Sequence, residues 1–303
     1  MSWNTKTLLS LGRVSNLPTV WSNTLAGVVL AGASPTTWNM LPLLLAMSMA
    51  YVGGMFLNDA FDRKIDAKER PERPIPSGQI KAAEVFAAGF TLLAGAIIFS
   101  FITALSWSGS FGKTVLLAGA LTGAIVLYDC WHKNNAFSPV IMGACRMLVY
   151  FVAAFAAAAS PNTLVYWGAL VVLAYLIGLT FVAKQENTGQ LTTLWPVAFL
   201  LVPVVAGVYL GWTDKQALIP LALFTLWVGY CVYLIRRSGR KSSRESNRDS
   251  NNADIPKAVT GMIAGIALVD AIFIAATSSL TIAAFAVAAF ALTLFLQRYI
   301  AGT

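Results

Sequence analysis

Apolar residues run continuously through most of the chain and do not follow one stripe or an alternating pattern. Stretches such as LLAGALTGAIVLY and TIAAFAVAAFALTLFL would be apolar on every side of a helix, which is typical of segments in lipid or inside a membrane bundle. The pattern predicts an all-α integral membrane protein and not an outer-membrane barrel of alternating strands. Membrane helices are predicted at 18–33, 40–58, 82–104, 114–128, 139–159, 163–183, 193–211, 216–235, 258–277 and 280–299.

The number of transmembrane helices follows from these segments. The first and fourth are short, and the last two could form one broken element, so we expect a bundle of nine or ten helices. We treat 1–303 as one domain whose polar connections alternate between the two sides of the membrane. The loops predicted on the side of the N-terminus are 59–81, 129–138, 184–192 and a flexible polar loop, 236–256.

Lysine and arginine are distributed very unequally between the two sides. The side of the N-terminus carries 18 of the 21 Lys and Arg residues. Lys113 and Lys215 fall on the other side, and Arg146 lies within a predicted helix. Because cytoplasmic loops retain basic residues, the sequence predicts a multi-pass protein of the inner (cytoplasmic) membrane with a cytoplasmic N-terminus. The N-terminal stretch lacks the features of a cleavable signal, so the first apolar segment is expected to remain.

The composition supports this class of protein. Apolar residues make up 57% and charged residues 11% of the chain, whereas soluble proteins carry about 25% charge. We attribute the net charge of +8 to topology and contact with membrane lipid. Nucleic acid is not an expected partner, since no aromatic residue interleaves the basic residues of 236–256. Cys130, Cys145 and Cys231 are widely spaced, which favours buried thiols over a disulfide or zinc site.

One stretch, FLNDAFDRKIDAKERPERPIPSG at 56–78, concentrates ten charged side chains between two apolar segments. If the second membrane helix continues through Asp66, a turn of about 100° per residue places four oxygen-bearing side chains within an arc of about 100°. Like charges this close repel each other. A divalent cation would relieve that repulsion, and oxygen-only ligands suit Mg²⁺. The four predicted metal ligands are Asn58, Asp59, Asp62 and Asp66.

The second half of this stretch supplies cations. Arg70 and Arg73, with Lys68 nearby, are donors suited to phosphate oxygens, which arginine can bind bidentately. The prolines and glycine of RPERPIPSG predict a stiff turn toward the third helix. Carboxylates and guanidinium groups side by side at a membrane mouth predict a diphosphate site. A solvated charge run is the alternative, but it would not place four metal-capable side chains on one face.

These residues also resemble a known family. NDAFDRKID followed by RPERPIPSG is similar to the first Asp-rich motif and adjoining loop of the UbiA superfamily of membrane prenyltransferases. GRVSNLPTVW resembles the start of the family's helix 1, where Arg13 and Pro18 match. YDCWHKNNAFSP resembles the loop after helix 4, where Tyr128 and Lys133 match. Within the superfamily, the chain looks most like the EboC-like branch, which is associated with handling a secondary metabolite.

The resemblance implies a helical bundle of about nine helices around a cavity open to the cytoplasm and to lipid. There Mg²⁺ would hold an isoprenyl diphosphate, and a small aromatic or lipid-linked acceptor would capture the allylic cation left by loss of diphosphate. The expected catalytic residues are Asp59, Asp62, Tyr128 and Lys133. The expected substrate-binding residues are Arg13, Asn58, Arg70, Arg73, Arg146 and Glu186.

The chain departs from the family at its second Asp-rich motif, commonly of the form DxxxD after helix 6. The matching text is TFVAKQENTG, in which Ala183 and Asn187 replace the two aspartates. Glu186 remains as a predicted further metal ligand. Three outcomes stay open: one metal ion suffices, Glu186 supports a weaker second ion, or the protein only binds or transports a prenyl-linked precursor.

Four further ionisable residues lie in or next to the predicted membrane helices. Arg146 lies about two turns inside the fifth helix, where an ionisable group is costly unless it faces a cavity or a partner. We expect a cavity-facing contact there, with a structural ion pair as the alternative. Asp129 could add an acid at the cavity mouth or be an ordinary solvated helix end. Asp270 is expected to be a packing or hydrogen-bonding group, and His132 a loop residue more than a general base.

Overall fold

The computed structural model describes residues 3–35, 37–107, 109–133, 135–186, 195–242, 254–277, 280–300 and 302, with the backbone alone at 37, 185–186 and 239–242. The helices are α1 (Thr5–Leu11), α2 (Leu17–Leu30), α3 (Thr37–Glu69), α4 (Ala82–Ser106), α5 (Phe111–Trp131), α6 (Ser138–Ala157), α7 (Leu164–Glu186), α8 (Trp195–Leu200), α9 (Val202–Thr213), α10 (Leu218–Ser242), α11 (Asp254–Thr277) and α12 (Leu280–Leu296). Single 3₁₀ turns precede α2 and α10, at Val14–Asn16 and Lys215–Ala217.

The all-α prediction is confirmed. Within the described ranges, eight helical segments are long and apolar enough to cross a membrane, counting α8 and α9 together. The two other apolar helices are shorter, α2 with 14 residues and α12 with 17. At a rise of about 1.5 Å per residue, each is shorter than a bilayer core of about 30 Å. The last two predicted segments are separate helices, α11 and α12, that pack against each other.

Helix α3 carries the predicted metal-binding face, and it continues to Glu69. Part of the stretch that was assigned to loop 59–81 is therefore helical, and the connecting loop begins at Arg70. No glycine or proline interrupts 55–70, and Pro71 disfavours helical backbone in the residue before it. This end of α3 confirms that Asn58 to Asp66 lie on a helix continuing out of the membrane segment.

Helix α11 lies at the centre of one part of the bundle and is almost entirely buried. It packs against α2, α7, α10 and α12, while α3 packs mainly on α4, and α6 lies between α5 and α7. An apolar helix with no polar face is the element expected at the centre of a membrane bundle. This arrangement leaves α2, α3, α5, α6, α7 and α11 around a common cavity.

Helices α2 and α6 approach each other closely at Gly27. A Cβ atom added there would lie 2.7 Å from the Tyr150 carbonyl oxygen and 2.8 Å from the Ala153 Cβ. Small residues allow such close backbone approach in membrane bundles, where lipid provides little hydrophobic drive for association. The close approach at Gly27 therefore keeps the polar residues one turn earlier on α2 near α6.

We predict that Gly27→Ala destabilises the protein by about 1 to 3 kcal/mol, because the new methyl group overlaps backbone atoms. The matched change is Gly123→Ala on α5, where an added Cβ would meet no atom within 4 Å. That variant should be as stable as the parent or gain up to about 1 kcal/mol. Thermal unfolding of the purified proteins in one detergent measures both changes, and equal melting temperatures for the two variants would contradict the packing argument.

Candidate functional site

A cavity of about 340 Å³ lies between the six helices and opens at the end of the bundle where α3 and α5 end. Its outer wall is polar, and its inner wall carries apolar residues. Met47 marks the inner part, since it precedes Asn58 by three helical turns, or about 16 Å along the helix axis. The polar lining residues at the mouth include Arg13, Asn58, Asp62, Asp66, Arg70, Arg73, Tyr128, Asp129, His132 and Lys133.

The predicted metal-binding face of α3 is buried at this mouth. Asn58, Asp59, Asp62 and Asp66 each expose 7% or less of their surface. A buried carboxylate is stable only when a cation or several hydrogen bonds compensate it. The partners of these groups therefore define the electrostatics of the site.

Two arginines compensate Asp59 and Asp66. Arg13 Nη2 donates to Asp59 Oδ1 at 3.1 Å and to Asn58 Oδ1 at 3.4 Å. Arg73 Nη1 donates to Asp66 Oδ2 at 2.8 Å and to Asp59 Oδ1 at 3.3 Å. Burial acts to lower the pKa of Arg13, but Asp59 and other nearby groups raise it overall, so the guanidinium stays charged.

Arg13 adopts a left-handed backbone, with φ of 41°. This conformation is costly for a residue with a Cβ atom. Such strain persists where the surrounding structure holds the residue in place. Here the residue begins the 3₁₀ turn before α2, and its side chain reaches Asp59 on α3.

Asp62 is compensated from the end of α5. His132 Nε2 lies 3.2 Å from Asp62 Oδ2, and Lys133 Nζ lies 3.7 Å from the same oxygen. Tyr128 stacks on the His132 ring with centroids 5.0 Å apart. His132 is a loop residue, as expected, and the carboxylate beside it is Asp62.

Asp129, on α5, differs from the three aspartates of α3. It is 4% exposed, so it is not the solvated helix end that the sequence left open. Its Oδ1 accepts a hydrogen bond of 3.1 Å from Asn58 Nδ2. Its Oδ2 is buried and has no hydrogen-bond partner in the described part of the chain.

The structure describes only some of the remaining predicted site residues. Arg70 lines the cavity mouth and is exposed. Ala183 lines the cavity from α7, where the family's second motif would carry an aspartate. Glu186 is the last residue of α7, but its side chain lies outside the described residues, as does all of Asn187.

Deeper in the bundle, Arg146 lines the cavity as expected. Its Nη1 donates to Asn23 Oδ1 at 2.9 Å and its Nη2 to Thr19 Oγ1 at 3.1 Å. The Tyr51 ring centroid lies 5.8 Å from the guanidinium carbon. Within the described ranges, Arg146 forms no ion pair with a carboxylate.

Asn23 connects Arg146 to a buried carboxylate, Asp270 on α11. Asn23 Nδ2 donates to both Asp270 oxygens at 2.8 Å. Ser22 Oγ donates to Oδ2 at 2.6 Å, and the Tyr150 hydroxyl donates to Oδ1. Asp270 is thus the hydrogen-bonding group that was expected, and it joins α2, α6 and α11 inside the membrane bundle.

Several members of this inner network were not predicted from the sequence: Thr19, Ser22, Asn23, Tyr51 and Tyr150. The one local signal was the run of polar residues within the first apolar segment, SNT at 22–24. Polar residues inside a membrane segment usually face the bundle interior. The network partners of Thr19, Ser22, Asn23 and Tyr150 lie at least 120 residues away, so no local pattern identifies them.

We predict that Asp270→Leu destabilises the protein by about 3 kcal/mol or more, because it leaves three buried donors unsatisfied at roughly 1 to 3 kcal/mol each. Tyr150→Phe removes a single donor and keeps the aromatic ring, so a loss of about 1 kcal/mol is expected. Chemical or thermal unfolding of both variants gives the comparison. A larger loss for Tyr150→Phe would show that the network is not centred on Asp270.

The oxygen donors at the mouth fit Mg²⁺ by their chemistry. Asn58, Asp62 and Asp66 line the cavity from α3, and Asp129 lines it from α5 with one buried oxygen that has no hydrogen-bond partner among the described residues. Within the described residues, no three acidic, histidine or cysteine side chains already form a metal cluster. Each aspartate of α3 is instead paired with a basic side chain.

Comparison with known proteins identifies the class of this membrane bundle. The sequence profile of the UbiA prenyltransferase family matches residues 20–188. This match covers more than half of the chain and includes the aspartate-bearing part of α3 together with α5, α6 and α7. The chain therefore belongs to the UbiA prenyltransferase family.

Among curated relatives, the digeranylgeranylglyceryl phosphate synthase of Thermococcus kodakarensis is 28% identical over 71% of this chain and 80% of its own length. The enzyme of the same name from Sulfolobus acidocaldarius is 30% identical over 41% of this chain and 51% of its own. Protoheme IX farnesyltransferase 1 of Cenarchaeum symbiosum is 29% identical over 36% of each chain. The matches to the Sulfolobus and Cenarchaeum proteins thus span only about a half and about a third of those relatives.

Two solved structures share the fold. A UbiA homologue from Aeropyrum pernix K1 superposes with a TM-score of 0.58 at 16% identity, over 84% of this chain and 96% of that one. A homologue from Archaeoglobus fulgidus, bound to DMAPP and Mg²⁺, gives 0.54 at 14% identity over 95% and 99%. The likeness confirms the predicted UbiA-like bundle, which the chain forms despite low sequence identity.

Proposed function

We propose that the protein is a membrane prenyltransferase that transfers an isoprenyl group from an isoprenyl diphosphate to a small aromatic or lipid-linked acceptor. The observation that carries this proposal is a single cavity whose mouth pairs buried aspartates with arginines and whose interior is apolar. Such a cavity suits a charged head group attached to a hydrocarbon chain. The proposal is supported by relatives named as farnesyl transferases and digeranylgeranylglyceryl phosphate synthases.

The basic residues of the mouth would bind the diphosphate. Arg70 is exposed at the opening, and Arg13 and Arg73 already place their N–H donors beside the buried aspartates. Diphosphate oxygens are acceptors of the same kind as carboxylate oxygens, so they can take over these donors. Lys133 lies on the facing side, close to Asp62. The head group would therefore lie between α3 and the end of α5.

Mg²⁺ would be held by Asn58, Asp59, Asp62 and Asp66, with Glu186 as a further predicted ligand, and when bound it would supply positive charge next to the diphosphate. A homologue of known structure binds DMAPP together with Mg²⁺, which supports this assignment. Asp59 and Asp62 are proposed as catalytic residues because their carboxylates set the charge at this position.

Transfer would begin when the bond between the prenyl carbon and the diphosphate oxygen breaks and both electrons stay on the oxygen. Arg13, Arg73 and Lys133 stabilise the negative charge that grows there, and fixed charges of this kind give large rate effects. Tyr128 lines the cavity beside them, and the face of its ring can stabilise a nearby carbocation.

The interior of the cavity would protect the allylic cation from water until the acceptor attacks it. Val20, Leu121, Val149, Leu176 and Ile266 line this part from five different helices. An apolar, water-poor wall prevents quenching and leaves the acceptor as the available nucleophile. Arg146 is proposed to contact the substrate deeper in the cavity, since it lines that region without a carboxylate partner among the described residues.

A catalytically reduced protein that binds or transports a prenyl-linked precursor is the second candidate. One observation favours it: Ala183 lines the cavity at the position where the family's second motif carries an aspartate. This protein would bind an isoprenyl diphosphate without releasing diphosphate. The two candidates therefore differ in whether diphosphate is released.

We predict that Asp59→Asn and Asp62→Asn each lower prenyl transfer by about 100-fold or more, because each removes negative charge from the proposed metal site. Purified variants in lipid nanodiscs would be incubated with Mg²⁺, isoprenyl diphosphates of increasing chain length and a cell lipid extract. The readouts are the prenylated product and the released diphosphate.

The control is Asp214→Asn, between α9 and α10, where the side chain accepts a hydrogen bond from the Gln216 backbone that asparagine can also accept. It should retain parental turnover. Undiminished turnover in both Asp59→Asn and Asp62→Asn would remove the metal assignment. Binding of the diphosphates by the parent protein without release of diphosphate would instead favour the second candidate.

We further propose that the mouth faces the cytoplasm, in an inner-membrane protein whose N-terminus lies on the same side. The basic stretch from Arg63 to Lys81 adjoins the mouth, and basic residues are retained on the cytoplasmic side. Two thiol positions can report this orientation: Cys130 is exposed near the end of α5, and Ser160 is exposed between α6 and α7.

In intact spheroplasts, a membrane-impermeant maleimide should label a Ser160→Cys variant in which Cys130 is replaced by serine. It should leave Cys130 of the parent unlabelled until the membrane is opened by detergent. Mass spectrometry of the labelled protein gives the result. The reverse order of labelling would place the mouth on the outer side of the membrane.

A further inference from the structure

Asp129 is the buried carboxylate of the cavity mouth that forms no ion pair within the described residues. Asp59 and Asp66 are paired with arginines, and Asp62 with His132 and Lys133. Asp129 accepts a hydrogen bond from Asn58 Nδ2 at its Oδ1. The other oxygen, Oδ2, is buried and has no partner among those residues.

A buried carboxylate oxygen without a partner is energetically costly. Leaving a single buried polar group unsatisfied costs about 1 to 3 kcal/mol, and more when the group is charged. Native structures therefore pair nearly all such groups, and an exception calls for a specific explanation. Asp129 lines the cavity that we propose as the substrate site, so a bound species is the natural partner for this oxygen.

A second argument is that the cavity lacks a carboxylate at Ala183. Helix α7 presents Ala183, which has no oxygen donor, where the family's second Asp-rich motif carries an aspartate. Asp129 lines the cavity from α5, beside Asn58 of α3. Its hydrogen bond to Asn58 joins it directly to a residue proposed to hold the metal.

We propose that Asp129 is an additional ligand for a divalent cation, which supplies from α5 a carboxylate that α7 lacks at Ala183. Hard cations such as Mg²⁺ bind through carboxylate oxygens and complete their shell with water and phosphate. The inference rests on the proposed function, because it assumes that the mouth binds a divalent cation together with a diphosphate.

Binding of Mn²⁺ tests the inference without relying on turnover. Free Mn²⁺ would be measured by electron paramagnetic resonance during titration of the full-length protein in nanodiscs, with and without inorganic diphosphate. Asp129→Asn is the informative variant, because its side-chain oxygen can still accept the hydrogen bond from Asn58. It removes the negative charge and the second oxygen, so we expect Mn²⁺ affinity to fall by roughly tenfold or more.

Two controls separate the outcomes. Asp214→Asn, remote from the cavity, should bind Mn²⁺ as the parent does. If Asp129→Asn binds Mn²⁺ as tightly as the parent while Asp62→Asn does not, the role of Asp129 is overturned and the proposed function stands. If the parent itself binds no Mn²⁺ in either condition, the metal site of the proposed function fails and the inference fails with it.

Discussion

The arrangement of the cavity depends on compensation of the buried aspartates of α3. These side chains lie in a region of low dielectric, where removing one member of an ion pair leaves an uncompensated charge at a cost of several kcal/mol. Their partners come from three different segments: Arg13 before α2, Arg73 in the loop after α3, and His132 with Lys133 after α5. The ion pairs thus fix those segments around one opening.

A second polar layer lies inside the bundle, where Arg146, Asn23 and Asp270 join α6, α2 and α11. Lipid offers no hydrophobic advantage for helix association, so hydrogen bonds and close packing must position the helices. The contact at Gly27 and the network at Asp270 act at neighbouring turns of α2. Together they determine where the inner wall of the cavity stands, and with it the space available to a hydrocarbon chain.

The two layers suggest how one site can bind a head group and still limit access of water. The basic side chains already donate hydrogen bonds to carboxylates. They can donate to diphosphate oxygens instead with little reorganisation, because both acceptors make the same type of charge-assisted hydrogen bond. Asp129 is the exception in this arrangement, with one buried oxygen that the described protein groups do not satisfy. Its position at the mouth, next to Asn58 of α3, makes the charge balance of the mouth dependent on what binds there.

The sequence by itself determined the class of protein and one face of the site. Apolar runs of bilayer length identify membrane helices because the bilayer core has a fixed thickness. The helical period placed Asn58, Asp59, Asp62 and Asp66 on one face, and α3 confirms their common helix. Arg70 and Arg73 were predicted because they follow this face closely along the chain.

Only the tertiary structure decided which groups meet across the cavity. Arg13 and Asp59 are 46 residues apart, and Ser22 and Asp270 are 248 apart. No period or motif relates such positions, because helix packing and not sequence spacing sets their distance. The pairing of His132 with Asp62, and the unsatisfied oxygen of Asp129, follow from where α5 packs against α3.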